Sequence, residues 1–238
     1  MNATPTVGVI TFPGSNGDHD ALSSLEHDLG YHVRSIDYRE TALGDVDALV
    51  LPGGFAYGDA LRCGAIARFA PVMDAVRAFA DAGKPILGIC NGFQVLCEAH
   101  LLPGALLRNA SLRFHCFRVQ VVVEQNDTAW TRGIAPGTVL TLPVAHGEGA
   151  YYIDGAGLDR LEANGQVVAR YCDEQGNVVE SANRNGSVAS IAAICNEARN
   201  IVGMMPHPER ATNVLVGGDD GLAILRSLVS DRALAHAS

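Results

Sequence analysis

Cys90 stands in the stretch PILGICNGFQVLCEA, a thiol bracketed by Gly88 and Gly92 where an apolar run gives way to a helical pattern. Ile86, Leu87 and Ile89 read as a short buried parallel strand; Phe93, Leu96 and Cys97 recur at helical spacing, with Val95 widening the stripe. A strand that turns sharply into a helix can display a nucleophile at the turn. A sulfur there faces unpaired backbone N–H groups and the positive end of the helix dipole, which favour thiolate over thiol. The N–H of Asn91 is placed to stabilise an oxyanion. A cysteine ending a core strand is more often plain packing, so the reading needs partners elsewhere in the chain.

A thiol nucleophile needs a base, and His207 in GMMPHPER has the surroundings for one. Pro208 pushes His207 toward an extended backbone, where residues two apart share a face, so Glu209 can reach the ring. A carboxylate on one ring nitrogen fixes the tautomer and raises the basicity of the other. Cys90, His207 and Glu209 together make a set for acyl transfer. Met204 and Met205 are expected to pack in the core. His146 and Glu148 in AHGEGAY are a rival base and an i, i+2 chelating pair, but no further ligands stand at metal spacing, so no metal site is expected.

The elements that must position these residues alternate. Val7 to Thr11 is an apolar strand ending in PGSNGDHD, followed by a helix to about Leu29 with Gly30 as its C-terminal cap. His32 to Ile36 and Ala48 to Leu51 read as strands. PGGFAYGD follows, then a helix carrying Leu61, Ile66, Phe69, Val72, Val76 and Phe79. Such alternation predicts an α/β fold, a mostly parallel central sheet flanked by helices, with ligands at the C-terminal strand ends. The turns at Gly14, Gly53 and Cys90 all fall there. From Arg118 the pattern becomes β-rich, which implies antiparallel additions in the C-terminal half and a last helix from about Gly221 to Val229. One domain over residues 1–238 is expected, frayed after about residue 232.

Composition narrows the class. The 238 residues carry a net charge of −9, which argues against nucleic acid as a ligand. No run reaches membrane-spanning length and MNATPT lacks the features of a signal peptide, so a cytoplasmic location is expected. Six cysteines (63, 90, 97, 116, 172 and 195) form no CxxC pair, which suggests neither zinc nor a disulfide framework.

The spacing Gly88-x-Cys90-x-Gly92-x-Gln94, with Pro-x-Glu framing a C-terminal histidine, resembles class I glutamine amidotransferases, whose fold is flavodoxin-like. FPGSN, PGGFAYGDALRCGAIA, GICNGFQVL, LLRNASLRF, AHGEGAY, NGSVASIAAICN and GMMPHPER, in this order, resemble more narrowly the glutaminase subunits of phosphoribosylformylglycinamidine synthases. The similarity runs from about Val7 to the final helix. One departure is Gly17, where the family pattern has cysteine.

The resemblance implies that Cys90 attacks the side-chain amide of glutamine, with His207 as acid and base and Glu209 orienting it. It implies an oxyanion hole from the N–H groups of Asn91 and Gly54, with Gly53 and Gln94 beside the substrate. Residues 106 to 119, carrying Arg108, Arg113, His115 and Arg118, correspond to a segment that helps hold the glutamine backbone; a solvated strand face is equally open for each arginine. Asp59 and Arg62 are expected to fix the PGG loop, an exposed ion pair being the bland alternative. The chain has no G-x-x-x-x-G-K-[ST] loop and no evident two-carboxylate magnesium site. The resemblance accordingly implies no cofactor here, ATP and magnesium on a separate synthetase subunit that receives the ammonia, and a small third subunit in the same complex. Two other readings stand beside it: a stand-alone cysteine hydrolase of γ-glutamyl or peptide bonds, and a binding module that has lost its chemistry.

Overall fold

In the computed structural model, which describes residues 4–234, the chain runs β1 (Thr6–Thr11), α1 (Asp18–Ser23), β2 (His32–Asp37), β3 (Ala48–Leu51), α2 (Val72–Asp81), β4 (Ile86–Ile89) and α3 (Asn91–Glu98). It continues through β5 (Ala105–Leu107), β6 (His115–Val123), β7 (Val139–His146), β8 (Ala150–Tyr152), α4 (Gly155–Ala163), β9 (Val167–Cys172), β10 (Ile191–Cys195), β11 (Ile201–Met204) and α5 (Gly221–Leu234). The main sheet is ordered β2-β1-β3-β4-β11-β10-β9-β6-β7, and β5 pairs with β8 apart from it. Strands β2, β1, β3, β4 and β11 are mutually parallel, whereas every pairing from β11 through β10, β9 and β6 to β7 is antiparallel. The mixed α/β sheet matches the sequence expectation, parallel in one half and antiparallel in the other.

The parallel half is apolar because both of its faces are covered. All four residues of β3 and of β4 are buried, as continuous apolar runs in such sheets should be. On α3, Phe93, Leu96 and Cys97 are buried to 3% exposure or less, and Met204 and Met205 lie in the same core. Each large apolar side chain so placed contributes about 1.5–3 kcal/mol.

Three expectations need correction. The helix drawn from Leu61 to Phe79 begins only at Val72, after Pro71; Leu61 is 92% and Phe69 73% exposed. Tyr57, Asp59, Leu61 and Gly64 all have positive φ, so the segment is a wound loop and its apolar residues do not form one stripe. Helix α4 and the small β5–β8 sheet interrupt the half read as β-rich. Helix α5 extends to Leu234, past the expected end at Val229, so the fraying expected after about residue 232 falls partly on helix and partly outside the described residues. α1 passes into one wide π turn, Ser24–Asp28, and Gly30 follows with φ +70° as the cap position requires.

Candidate active site

Cys90 occupies the turn between β4 and α3 with φ 50° and ψ −103°, a conformation that costs about 1–3 kcal/mol and persists only when its surroundings impose it. Its N–H donates to Met204 O at 2.7 Å, which pins the turn to the adjacent parallel strand. The flanking glycines are required by packing. A Cβ on Gly92 would collide with Leu51 O, and one on Gly88 with Leu96 Cδ1 and the Gly92 backbone. The helix thus starts directly against β3, and Cys90 is left 5% exposed at its head.

His207 follows β11, extended at φ −104°, ψ 91°, with its N–H bonded to Pro143 O on β7 at 2.8 Å. Glu209 does not lie on a continuing extended chain as the sequence suggests; Pro208–Arg210 forms one 3-10 turn, which brings the carboxylate back under the ring. Nδ1 of His207 lies 2.6 Å from Glu209 Oε1, and the two residues are 1% and 4% exposed. Nε2 has no hydrogen-bond partner among the described residues and interacts with the Cys90 sulfur. Burial alone would pull the imidazole pKa down. The Glu209 carboxylate and then the Cys90 sulfur outweigh it and hold the ring protonated well above the ordinary histidine range.

Gly53 and Gly54 pass close to both groups. A Cβ on Gly53 would lie 2.6 Å from His207 Cε1 and 3.7 Å from Cys90 Cβ. Gly54 has φ +152° and bridges Ser15. Among the described residues, neither the Gly54 nor the Asn91 N–H donates to any acceptor, so both remain available. Gly17, the departure from the family pattern, donates to Gly53 O at 3.0 Å and backs this loop.

The first turn of α3 ties the surrounding loops together. Asn91 Oδ1 accepts from Ala56 N at 3.1 Å, and its Nδ2 donates to Gln94 Oε1 at 2.8 Å and Asp59 Oδ1 at 3.4 Å. Gln94 Nε2 donates to Glu148 O at 2.6 Å. Arg62 is not a bare surface pair: it grips the buried Glu98 with two bonds of 2.5 and 2.6 Å.

His146 is 4% exposed, and its Nδ1 lies 3.0 Å from Asn109 Oδ1. Asn109 Nδ2 donates to two carbonyls, which leaves its oxygen as the acceptor and puts the proton on Nδ1 of His146. Burial, then His115 and His207, lower the His146 pKa to about 3. So weak a base suits a structural post better than proton transfer. The four cationic candidates of residues 106 to 119 separate. Arg108 and Arg113 line a cavity with Glu148, His115 Nε2 bonds Ser111 Oγ at 2.8 Å, and Arg118 turns away to Val216 O at 2.8 Å. Sequence reasoning missed Asn109, wholly buried, and Cys63, which joins Asp59 to Glu148. Nothing in a sequence marks an asparagine as a buried junction.

With the geometry described, comparison with known proteins decides the family. The CobB/CobQ-like glutamine amidotransferase domain matches residues 4–217. The chain belongs to the glutamine amidotransferases, in the PurQ family. It is 62% identical to phosphoribosylformylglycinamidine synthase subunit PurQ of Thermomicrobium roseum, over 93% of this chain and 94% of that one. It is 56% identical to the subunit of the same name from Rubrobacter xylanophilus, over 94% and 97%. A chain in the structure of PurLQS from Thermotoga maritima superposes with a TM-score of 0.84 at 40% identity, covering 96% of this chain and 99% of that one. The fold is thus shared with that chain over nearly all of its length.

Proposed function

We propose that this chain is the glutaminase subunit of phosphoribosylformylglycinamidine synthase in purine biosynthesis, and that Cys90, His207 and Glu209 carry out its chemistry. The buried Cys90–His207–Glu209 arrangement beyond the ends of two neighbouring parallel strands, β4 and β11, is the observation that carries the residue assignment. The Cys90 sulfur attacks the side-chain amide carbon of glutamine, and the N–H groups of Gly54 and Asn91 receive the negative charge that develops on the amide oxygen. Protonated His207 gives its proton to the departing nitrogen, which leaves as ammonia, and a γ-glutamyl thioester remains on Cys90. His207, now neutral, takes a proton from water; the hydroxyl adds to the thioester carbon, and glutamate departs as the thiol is restored. The balance is glutamine plus water to glutamate plus ammonia.

Gly53 lets the backbone approach the sulfur, and Gln94 holds the Glu148 loop over the helix start while facing the substrate. The reading of residues 1–238 as one amidotransferase domain is supported by the nine-stranded sheet, among the described residues, whose strands β3, β4 and β11 lead into the turns and helix that hold the site.

Converting an amide oxygen to an amidine nitrogen is uphill and needs ATP. That step belongs to a synthetase partner carrying ATP and magnesium, which takes the ammonia and converts formylglycinamide ribonucleotide to formylglycinamidine ribonucleotide. The PurLQS relative supports a complex with the PurL synthetase and the small PurS subunit. Among the described residues no group of three His, Cys, Asp or Glu could hold a metal ion, and no helix is long and apolar enough to cross a membrane. A cytoplasmic location follows from the pathway. The test is glutamate release from glutamine by the chain with its synthetase partner. Release that disappears in Cys90→Ala supports the assignment; undiminished release in that variant overturns it.

A further inference from the structure

The Glu209 carboxylate is only half engaged. Oε1 meets His207 Nδ1 at 2.6 Å, while Oε2 is buried and has no hydrogen-bond partner among the described residues. A buried carboxylate with one bond is poorly solvated, so a charge a few ångströms away weighs heavily on it. Arg210, next along the same 3-10 turn, supplies such a charge. Its Nε lies 3.7 Å from Glu209 Oε1, too far for a hydrogen bond, because that N–H donates instead to Asp20 Oδ2 on α1 at 2.8 Å. The guanidinium thus stands between a buried acid, 1% exposed, and a solvent-side acid, 46% exposed.

An open cavity of about 350 Å³ reaches this turn from behind, with Asp20, Asp28, Arg118, Glu209 and Arg210 in its wall. The other charged groups packed around the turn are committed elsewhere. Asp28 accepts from Thr212 Oγ1 at 2.7 Å, Arg118 on β6 donates to Val216 O, and Asp220, just before α5, accepts from Thr141 N. His146 on β7 is uncharged, its pKa lowered to about 3 chiefly by burial. Asp18 and His19 of α1, Glu26 and His27 of the π turn and Arg226 of α5 do not line the cavity.

We propose that Arg210 is a positioning residue for the reaction: divided between Asp20 and Glu209, it sets how much of the carboxylate's charge is left to act on His207. The inference rests on the glutaminase reading and deepens it by naming what tunes the base. Asp20 holds the guanidinium off Glu209, so the carboxylate keeps its pull on the ring. A guanidinium that closed the short remaining distance would share the carboxylate with the imidazolium, which would then give up its proton at lower pH. Without Arg210, the whole charge falls on His207.

The test titrates the His207 imidazole by NMR in the full chain and follows the alkaline limb of glutamate release with the synthetase partner present. Arg210→Gln moves both upward by about one pH unit, and Asp20→Asn, which frees the guanidinium to close on Glu209, moves both downward by about as much, as a charge within about 4–6 Å should. Asp20 lies toward solvent, so Asp20→Asn decides the matter even where Arg210→Gln fails to fold. In a Glu209→Gln background both shifts vanish, because the influence passes through the carboxylate. Shifts of one sign, an unmoved titration in Asp20→Asn, or shifts of undiminished size in the Glu209→Gln background overturn the proposal. The imidazole titration is read without turnover. Absence of Cys90-dependent glutamate release therefore overturns the glutaminase reading separately.

Discussion

At the scale of residues, the proposed chemistry rests on a buried His207 whose pKa Glu209 and the Cys90 sulfur raise against the pull of burial. Because the folded pKa is raised, to about 10 against an ordinary 6.5, this group's contribution to stability is whole below pH 6.5 and is lost as pH rises through the folded value. Removing the carboxylate in Glu209→Gln deletes the largest influence raising it. The pKa of His207, followed by NMR of the imidazole, then falls, and the alkaline decline in glutaminase rate moves to lower pH. An unmoved alkaline limb would separate Glu209 from the ring's titration. The nucleophile itself is tested by Cys90→Ala, which lowers glutamate release by roughly a thousandfold or more while leaving the melting temperature close to wild type.

At the scale of elements, the turn works because three segments touch without side chains between them. Gly92→Ala places a methyl group into Leu51 O, so either α3 shifts away from β3 or the turn opens. Overpacking of this kind costs about 1–3 kcal/mol, which thermal melting reads as a fall of several degrees, and kcat falls with it because Cys90 sits one residue before α3. An alanine variant with unchanged stability and rate would contradict the tight contact. This turn was legible in the sequence: an apolar run, two bracketing glycines and a helical stripe can hardly mean anything else. The Asp59–Arg62 loop was legible only as a place. Positive φ at Tyr57, Gly58, Asp59, Leu61 and Gly64 winds the segment back onto α3, so Leu61 and Phe69, which look like core in a helical pattern, point to solvent. The carboxylate of Glu209 was assigned correctly as a neighbour of His207, but through an extended geometry where the chain forms a 3-10 turn. Asn109, Cys63 and the neutral state of His146 depend on contacts between segments far apart in sequence. Local pattern carries no signal for those.

At the scale of the whole molecule, the sheet divides the labour. Its parallel half builds the nucleophile turn and the glycine loop, and its antiparallel half supplies the Pro143–His146 end of β7, which holds His207 and roofs Cys90. Phe55, Leu61, Leu112 and Phe114 are all substantially exposed, and Phe55, Leu112 and Phe114 line the cavity beside the nucleophile turn. In the proposed division of work the acceptor is activated on the synthetase partner, so ammonia released by this chain alone has nothing to react with. Glutaminase activity is therefore expected to be low in isolation and to rise with the synthetase present. The most direct measurement is glutamate release from glutamine by wild type and Cys90→Ala, each with and without the synthetase subunit and its nucleotide. A strong increase on adding the partner, absent in Cys90→Ala, is the predicted result. Turnover that persists in Cys90→Ala, or that is full and unchanged without the partner, would contradict the account of a partner-gated glutaminase acting through Cys90.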